Sequence, residues 1–318
     1  MKSIAVKISL QNESKLEIPL SYETFGLPLG SAPIILVNHA LTGNSRVTGE
    51  HGWWNHLIDE GKTIDTKNYT ILAFNIPGNG YDHTLIEHYE RFNIKTISDA
   101  FMQGLNALGI KAVDTIIGSS LGGAIAWQMC YDAPQRFKQF IAIATDYKTS
   151  NWVRAQSYLQ DKILNNSSNP IQDARVHGML LYRTPASLNS KFKETWDEEK
   201  KRYLITDWLD YHGNALEKRF QLKAYKLMNH LLSTITVCND IKALSKIESD
   251  IHIIAVNTDL FFTAQRNLNT YQELKPIKPN TYYHEIKSIH GHDAFLIEYE
   301  QLNNILNPLF NHYAPFKK

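Results

Sequence analysis

The run Thr115-Ile116-Ile117-Gly118-Ser119-Ser120-Leu121-Gly122-Gly123 constrains this chain more than any other stretch. An apolar segment leads into Gly-x-Ser-x-Gly, and helical spacing from Ala124 to Tyr131 follows at once. The pattern predicts a buried strand, a sharp turn and a helix. Such a turn holds Ser120 in strained backbone geometry with its hydroxyl at the helix N-terminus. Glycine fits at 118 and 122 because strand and helix pass too close there for side chains. A bare Gly-x-Ser-x-Gly arises by chance; its place between a strand and a helix gives it weight.

The flanking pattern is α/β. Residues 4–10 and 16–24 alternate apolar and polar around Asn12-Glu13-Ser14, as in an antiparallel hairpin. Segments 34–38, 69–75, 115–118 and 140–145 read as short strands buried on both faces. Residues 53–58 have the spacing of a short helix, and Thr96 opens a longer one that Gly109 stops. This alternation predicts a mostly parallel sheet with helices on both faces. It breaks near Ser150. Segments 152–164, 173–181, 192–202 and 215–232 then show helical spacing. Strand patterns return at 251–256 and 281–286, and a last helix is expected over 295–312. Residues 1–149 and 246–318 therefore read as the core, with 150–245 inserted as a helical cap (a lid). The cap is expected over the C-terminal ends of the strands, where open α/β sheets hold their ligands.

Composition limits the partners. Lys and Arg number 33 against 32 Asp and Glu, so no basic excess points to nucleic acid or an anionic membrane. No uncharged apolar run is long enough to span a bilayer. The start, Met1-Lys2-Ser3-Ile4-Ala5-Val6-Lys7, carries charge where a signal peptide is apolar. Cys130 and Cys238 lie far apart without metal-ligand spacing, as expected of reduced thiols in a cytoplasmic protein. No metal or cofactor is expected. His-Glu-x-x-His and a phosphate loop are absent, and Gly78-Asn79-Gly80 lacks the third glycine of a dinucleotide fingerprint.

A serine hydroxyl is a weak nucleophile; it needs a base, and the base needs an orienting carboxylate. With a Gly-x-Ser-x-Gly turn, the chain order is Ser, acid, His. Asp259 follows the strand at 251–256, whereas Asp240 and Asp250 precede it and fall at the wrong end of the sheet. The loop Ser288-Ile289-His290-Gly291-His292-Asp293 follows the last strand, and spacing alone does not choose between His290 and His292. Two backbone N–H groups are expected to form the oxyanion hole. One is that of Leu121, the other lies in the loop near Ala40 and Leu41.

Several segments resemble the homoserine O-acetyltransferase family of the α/β-hydrolase superfamily. They are Asn38-His39-Ala40-Leu41-Thr42-Gly43-Asn44, Gly52-Trp53-Trp54, Gly61-Lys62-Thr63-Ile64-Asp65-Thr66 and the Ser120 turn. Further on come Ala174-Arg175, Tyr182-Arg183-Thr184, Leu209-Asp210-Tyr211-His212-Gly213 and Gly291-His292-Asp293-Ala294-Phe295-Leu296. The resemblance covers about residues 20–300. It implies the α/β-hydrolase fold and a ping-pong transfer in which Ser120 takes an acetyl (acyl) group from acyl-CoA as co-substrate. L-Homoserine then accepts it. The resemblance implies His292 as base, Asp259 as its orienter, Leu41 and Leu121 as oxyanion donors, and Asp293 as partner of the substrate ammonium. It also implies a cytoplasmic homodimer of methionine biosynthesis.

Three departures stand out. Gln160-Asp161 aligns where the family has Gln-Arg, so Arg154, seven residues earlier on nearly the same helix face, is the expected partner of the substrate carboxylate. The loop at 75–82 is short, and Asn38 replaces a small residue. With water as acceptor, the same triad would make a serine hydrolase, an esterase or thioesterase.

Overall fold

The computed structural model describes residues 1–10 and 15–310. Among them the main sheet has eight strands: β1 (Lys2–Ser9), β2 (Lys15–Gly26), β3 (Ile34–Asn38), β4 (Thr70–Phe74), β5 (Val113–Ser119), β6 (Phe137–Ile143), β7 (Asp250–Val256) and β8 (Thr281–Ile286). Their spatial order is β1-β2-β4-β3-β5-β6-β7-β8. β1 and β2 form the expected antiparallel hairpin, and β2 is antiparallel to β4. Every later pair is parallel. The hairpin turn at Asn12-Glu13-Ser14 lies outside the described residues.

Alternation along the central strands divides the core. Leu36, Leu72, Phe74 and Ile116 face one apolar cluster, whereas Val37, Ile71, Ala73 and Ile117 face the other. Both faces are covered, so nearly every central-strand residue is buried and apolar. Helices α1 (Ile94–Ala107) and α2 (Leu121–Asp132) bury side chains in the first cluster. The Asn93 side chain accepts the Thr96 N–H at the start of α1, two residues before the expected opening.

Between neighbours β6 and β7 the chain runs through α3 (Asn151–Asn166), α4 (Pro170–Tyr182), α5 (Pro185–Phe192), α6 (Leu204–Glu217) and α7 (Leu222–Ser233). Val153, Leu164, Ala174, Leu216 and Tyr225 of these helices join the first apolar cluster. After β7 come α8 (Ala264–Leu274) and α9 (Tyr299–Phe310), and α9 buries Leu302, Leu306 and Phe310 in the second cluster. None of the described helices is long and apolar enough to cross a membrane.

Four expectations require correction. Residues 53–57 are turns and Ile58 opens a two-residue strand, not a helix: the Trp54 carbonyl accepts the N–H groups of both Leu57 and Ile58, and stacked Trp53 and Trp54 anchor the segment. The 192–202 segment holds the end of α5 and a two-stranded ribbon, Trp196–Asp197 against Arg202–Tyr203. The 215–232 segment is split, because α6 stops at Glu217 and α7 starts at Leu222. The last helix starts later than expected, at Tyr299, after a 3-10 turn at Gly291–Leu296; its expected end at 311–312 falls outside the described residues.

Candidate active site

The site gathers at the C-terminal ends of β3, β5, β7 and β8. At the end of β5, Ser120 has φ 52° and ψ −124°, a left-handed geometry unusual for any residue but glycine. Its surroundings impose that geometry. Its N–H donates to the Ile143 carbonyl at 3.0 Å, and its carbonyl accepts the Thr145 hydroxyl at 2.6 Å. A Cβ on Gly122 would strike the carbonyl oxygens of Asn38 and His39, and one on Gly118 would strike the Gly122 backbone. The glycines are there to let α2 touch both β3 and β5. Asn38, the departure before His39, crosses the same contact, donating from Nδ2 to the Gly122 carbonyl at 3.3 Å.

His292 sits in the Gly291–Leu296 turn after β8, buried among Tyr182, Phe261, Phe262 and Phe295. Its Nδ1 donates to Asp259 Oδ2 at 2.7 Å. Asp259 follows β7, and its Oδ1 accepts the N–H groups of Phe261 at 2.7 Å and Phe262 at 3.0 Å. The two loops are tied together. Thr258 Oγ1 donates to the Ser288 carbonyl at 2.6 Å and accepts the Gly291 N–H at 3.2 Å. Burial pulls the His292 imidazole down, but the charge and hydrogen bond of Asp259, with the charge of Asp293, outweigh it and leave its pKa raised.

His290 is engaged elsewhere: its Nδ1 faces the Ser187 hydroxyl at 2.9 Å and Arg183 Nη2 at 3.1 Å. Of the two histidines, His292 is the one that lines the cavity of Ser120. That cavity, about 90 Å³, is bounded by Ala40, Leu41, Thr42, Ser120, Arg175, Tyr182, His292, Asp293, Phe295 and Leu296. Asp250 begins β7 and Asp240 caps a 3-10 turn before it, so neither reaches this end of the sheet.

The loop after β3 is positioned by His39. Burial lowers the ring's pKa to about 4 against the effect of its bond to the Ala40 carbonyl, so the ring is neutral. Nδ1 donates to that carbonyl at 2.8 Å, while Nε2 accepts the Ile76 N–H at 3.0 Å from the shortened loop. Among the described residues the N–H groups of Leu41 and Leu121 have no hydrogen-bond partner. Free N–H groups at a helix N-terminus and in a neighbouring loop can stabilise a developing oxyanion.

The expected carboxylate partner requires correction. Arg154 is exposed and does not line the cavity. The inward stripe of α3 is Val153, Ser157, Gln160 and Leu164, so the face that Arg154 shares with Asp161 is not the one turned inward. Arg175 lines the cavity instead, its guanidinium carbon 5.7 Å from the centroid of the Tyr182 ring. Its charge lowers the carboxyl of Asp293, though burial is the larger influence and keeps that pKa raised. A signal for Arg175 existed in the sequence: it lies among Ile171, Ala174, Gly178 and Met179 on the buried side of α4. No group of three or more metal-ligating side chains occurs among the described residues.

The family model for the alpha/beta hydrolase fold matches residues 33–299, which places the chain in that class. The homoserine O-acetyltransferase of Cyclobacterium marinum is 31% identical over 332 residues, covering 95% of this chain and 92% of its own. That of Nautilia profundicola is 29% identical, covering 91% of each. The chain belongs to the homoserine O-acetyltransferase family. A solved homoserine O-acetyltransferase from Bacillus anthracis shares the fold with a TM-score of 0.85 at 16% identity, covering 98% of both chains.

Proposed function

We propose that the protein transfers an acyl group, acetyl by the names of its relatives, from acyl-CoA to the hydroxyl of L-homoserine. One observation carries this reading: a single cavity presents a cation, Arg175, and a carboxylate, Asp293, beside Ser120 and His292. An amino-acid acceptor carries the complementary pair of charges.

His292 Nε2 takes the Ser120 proton as Oγ attacks the thioester carbonyl. The tetrahedral oxyanion is held by the Leu41 and Leu121 N–H groups, and it collapses as the C–S bond breaks and His292 protonates the departing thiolate. The homoserine hydroxyl then gives its proton to His292 and attacks the acyl-serine. Collapse of that second adduct returns the proton to Ser120 and releases the O-acyl ester. Asp259 keeps the His292 ring in the tautomer with Nδ1 protonated and stabilises the imidazolium. Arg175 holds the acceptor carboxylate and Asp293 its ammonium. Residues 150–245 act as the cap that limits water at the acyl-enzyme. The reading includes a cytoplasmic homodimer acting in methionine biosynthesis.

The test is thiol release from acetyl-CoA with and without L-homoserine. Release that rises with homoserine and yields an equal amount of O-acetylhomoserine supports transfer. Release that ignores homoserine, with free acetate as product, makes the protein a thioesterase.

A further inference from the structure

A line of buried polar side chains runs from β2 to the loop at 39–45, which carries the Leu41 N–H. Asn75, just past the end of β4, is its centre. Its Nδ2 donates to Ser21 Oγ at 2.9 Å and to Ser45 Oγ at 3.1 Å. Its Oδ1 accepts the Ser45 N–H at 2.8 Å and Asn79 Nδ2 at 3.3 Å. A side-chain amide has two donors and one oxygen with two lone pairs, so these bonds use all of it. Beyond Asn75, Ser45 Oγ donates to Glu23 Oε2 at 2.7 Å, and Glu23 Oε1 accepts Arg46 Nη2 at 3.1 Å. Ser21 Oγ donates to Asp82 Oδ2 at 2.6 Å. Ser21, Glu23, Ser45, Asn75 and Asn79 are all buried.

The other end of the loop is held from the same place. The Ile76 N–H, next in the chain, donates to His39 Nε2 at 3.0 Å, which leaves the ring proton on Nδ1 for the Ala40 carbonyl. The Gly43 N–H donates to that carbonyl as well, at 2.9 Å. A trans peptide sets its carbonyl and the following N–H on opposite sides of one plane. Holding the Ala40 carbonyl therefore aims the Leu41 N–H, and Leu41 lines the cavity of Ser120. Apolar side chains would join β2 to this loop without the cost of burying polar groups. Hydrogen bonds add direction, and direction is what an N–H donor needs.

We propose that Asn75 is a positioning residue for the oxyanion hole: through Ser45 and the adjoining Ile76 N–H it pins both ends of the loop at 39–45 and so sets the direction of the Leu41 N–H. This rests on the acyl-transfer reading above, which makes Leu41 an oxyanion donor, and adds the group that aims it. Asn75 does not line the cavity, so its effect passes through the loop and not through contact with a substrate.

The test measures kcat per Ser120 that a fluorophosphonate titrates to completion, together with the rate constant of that labelling. Asn75→Ala should lower kcat for thiol release from acetyl-CoA about 10- to 100-fold. That is less than the 100- to 1000-fold typical of a donor lost outright, because the N–H is misaimed and not deleted. The labelling rate should fall by a similar factor. The phosphoryl oxygen gains charge in the same hole as Ser120 Oγ adds to phosphorus and fluoride leaves. The KM for acetyl-CoA and for L-homoserine, and the acidic limb set by His292, should stay at their wild-type values. Ser45→Ala removes the hydroxyl that joins Asn75 to Glu23 and should show the same pattern at smaller size; it carries the test if Asn75→Ala does not fold. A lower denaturation midpoint with wild-type kcat and labelling per folded site makes Asn75 structural and overturns the proposal. A raised KM or a shifted acidic limb in place of the kcat loss does so too, as does failure of both variants to fold. The two readings separate. Thiol release that ignores homoserine, with the labelling loss intact, removes the acceptor and keeps the positioning role. Homoserine-dependent transfer with wild-type labelling in both variants does the reverse.

Discussion

At the residue scale the site is a division of labour between buried groups that the fold places within reach of one cavity. Ser120→Ala should lower kcat by about a million-fold, leaving what binding and the oxyanion donors supply. His292→Ala should be comparably severe, while His290→Ala, which removes only a partner of Arg183 and Ser187, should leave kcat close to wild type. Steady-state kinetics on the purified variants check both. The pH profile follows from His292. Only the neutral ring can take the Ser120 proton, so kcat/KM should rise with pH through the imidazole pKa, and that pKa lies above the ordinary 6.5. Asp259→Asn removes the larger part of the upward push, leaving that of Asp293, and leaves burial in place. Its acidic limb should move to lower pH, and kcat should fall about 10,000-fold.

The placement of Ser120, Asp259, His290 and His292 at one end of the sheet was legible in the sequence because each follows a strand whose pattern is clear. Spacing could not separate the two histidines; their different partners do. Arg154 was misplaced because a seven-residue offset fixes a shared helix face but not which way that face points. Only packing against α4 and α7 does that.

At the element scale the turn between β5 and α2 carries backbone strain at Ser120. A positive φ at a serine costs about 1–3 kcal/mol and persists only where neighbours impose it. The Thr145 hydroxyl on the Ser120 carbonyl is one such neighbour, since Thr145 follows β6 and fixes the turn from the adjacent strand. Thr145→Val keeps the shape and removes the donor, so unfolding should cost about 1–3 kcal/mol less in denaturant titrations. Thr145→Ser should retain most of that stability. Gly122→Ala should be worse, because its Cβ meets backbone oxygens that cannot rotate away. Strands were legible wherever uninterrupted apolar runs faced two layers. The elements at 53–58, 192–202 and 215–232 were not. Their apolar spacing suits a helix, but long-range contacts decide them: Trp54 packs against Phe295, and Phe192 and Trp208 meet across α5 and α6.

At the scale of the whole molecule, the parallel order of β3, β5, β6, β7 and β8 brings loops far apart in sequence to one end of the sheet. The helical segment between β6 and β7 then adds the charged wall of the cavity through Arg175 and Tyr182. The broad α/β architecture was legible from the alternation of strand and helix patterns along the chain. Which cation lines the cavity was not, because it depends on how α4 is set against the β8 loop. Arg175→Ala should raise the KM for L-homoserine about 10- to 100-fold with little change in acylation of Ser120 by the donor. Arg154→Ala should leave both at wild-type values. Measuring the two half-reactions separately distinguishes these outcomes.

The central claim is that Ser120 carries the acyl group between two substrates. Mixing the protein rapidly with acetyl-CoA in the absence of acceptor, then digesting it for peptide mass spectrometry, tests that claim most directly. The account predicts one acetyl group on the peptide containing Ser120, absent from Ser120→Ala, and discharged to O-acetylhomoserine when L-homoserine is added. An unlabelled Ser120, or a label that water removes as fast as L-homoserine does, would contradict it.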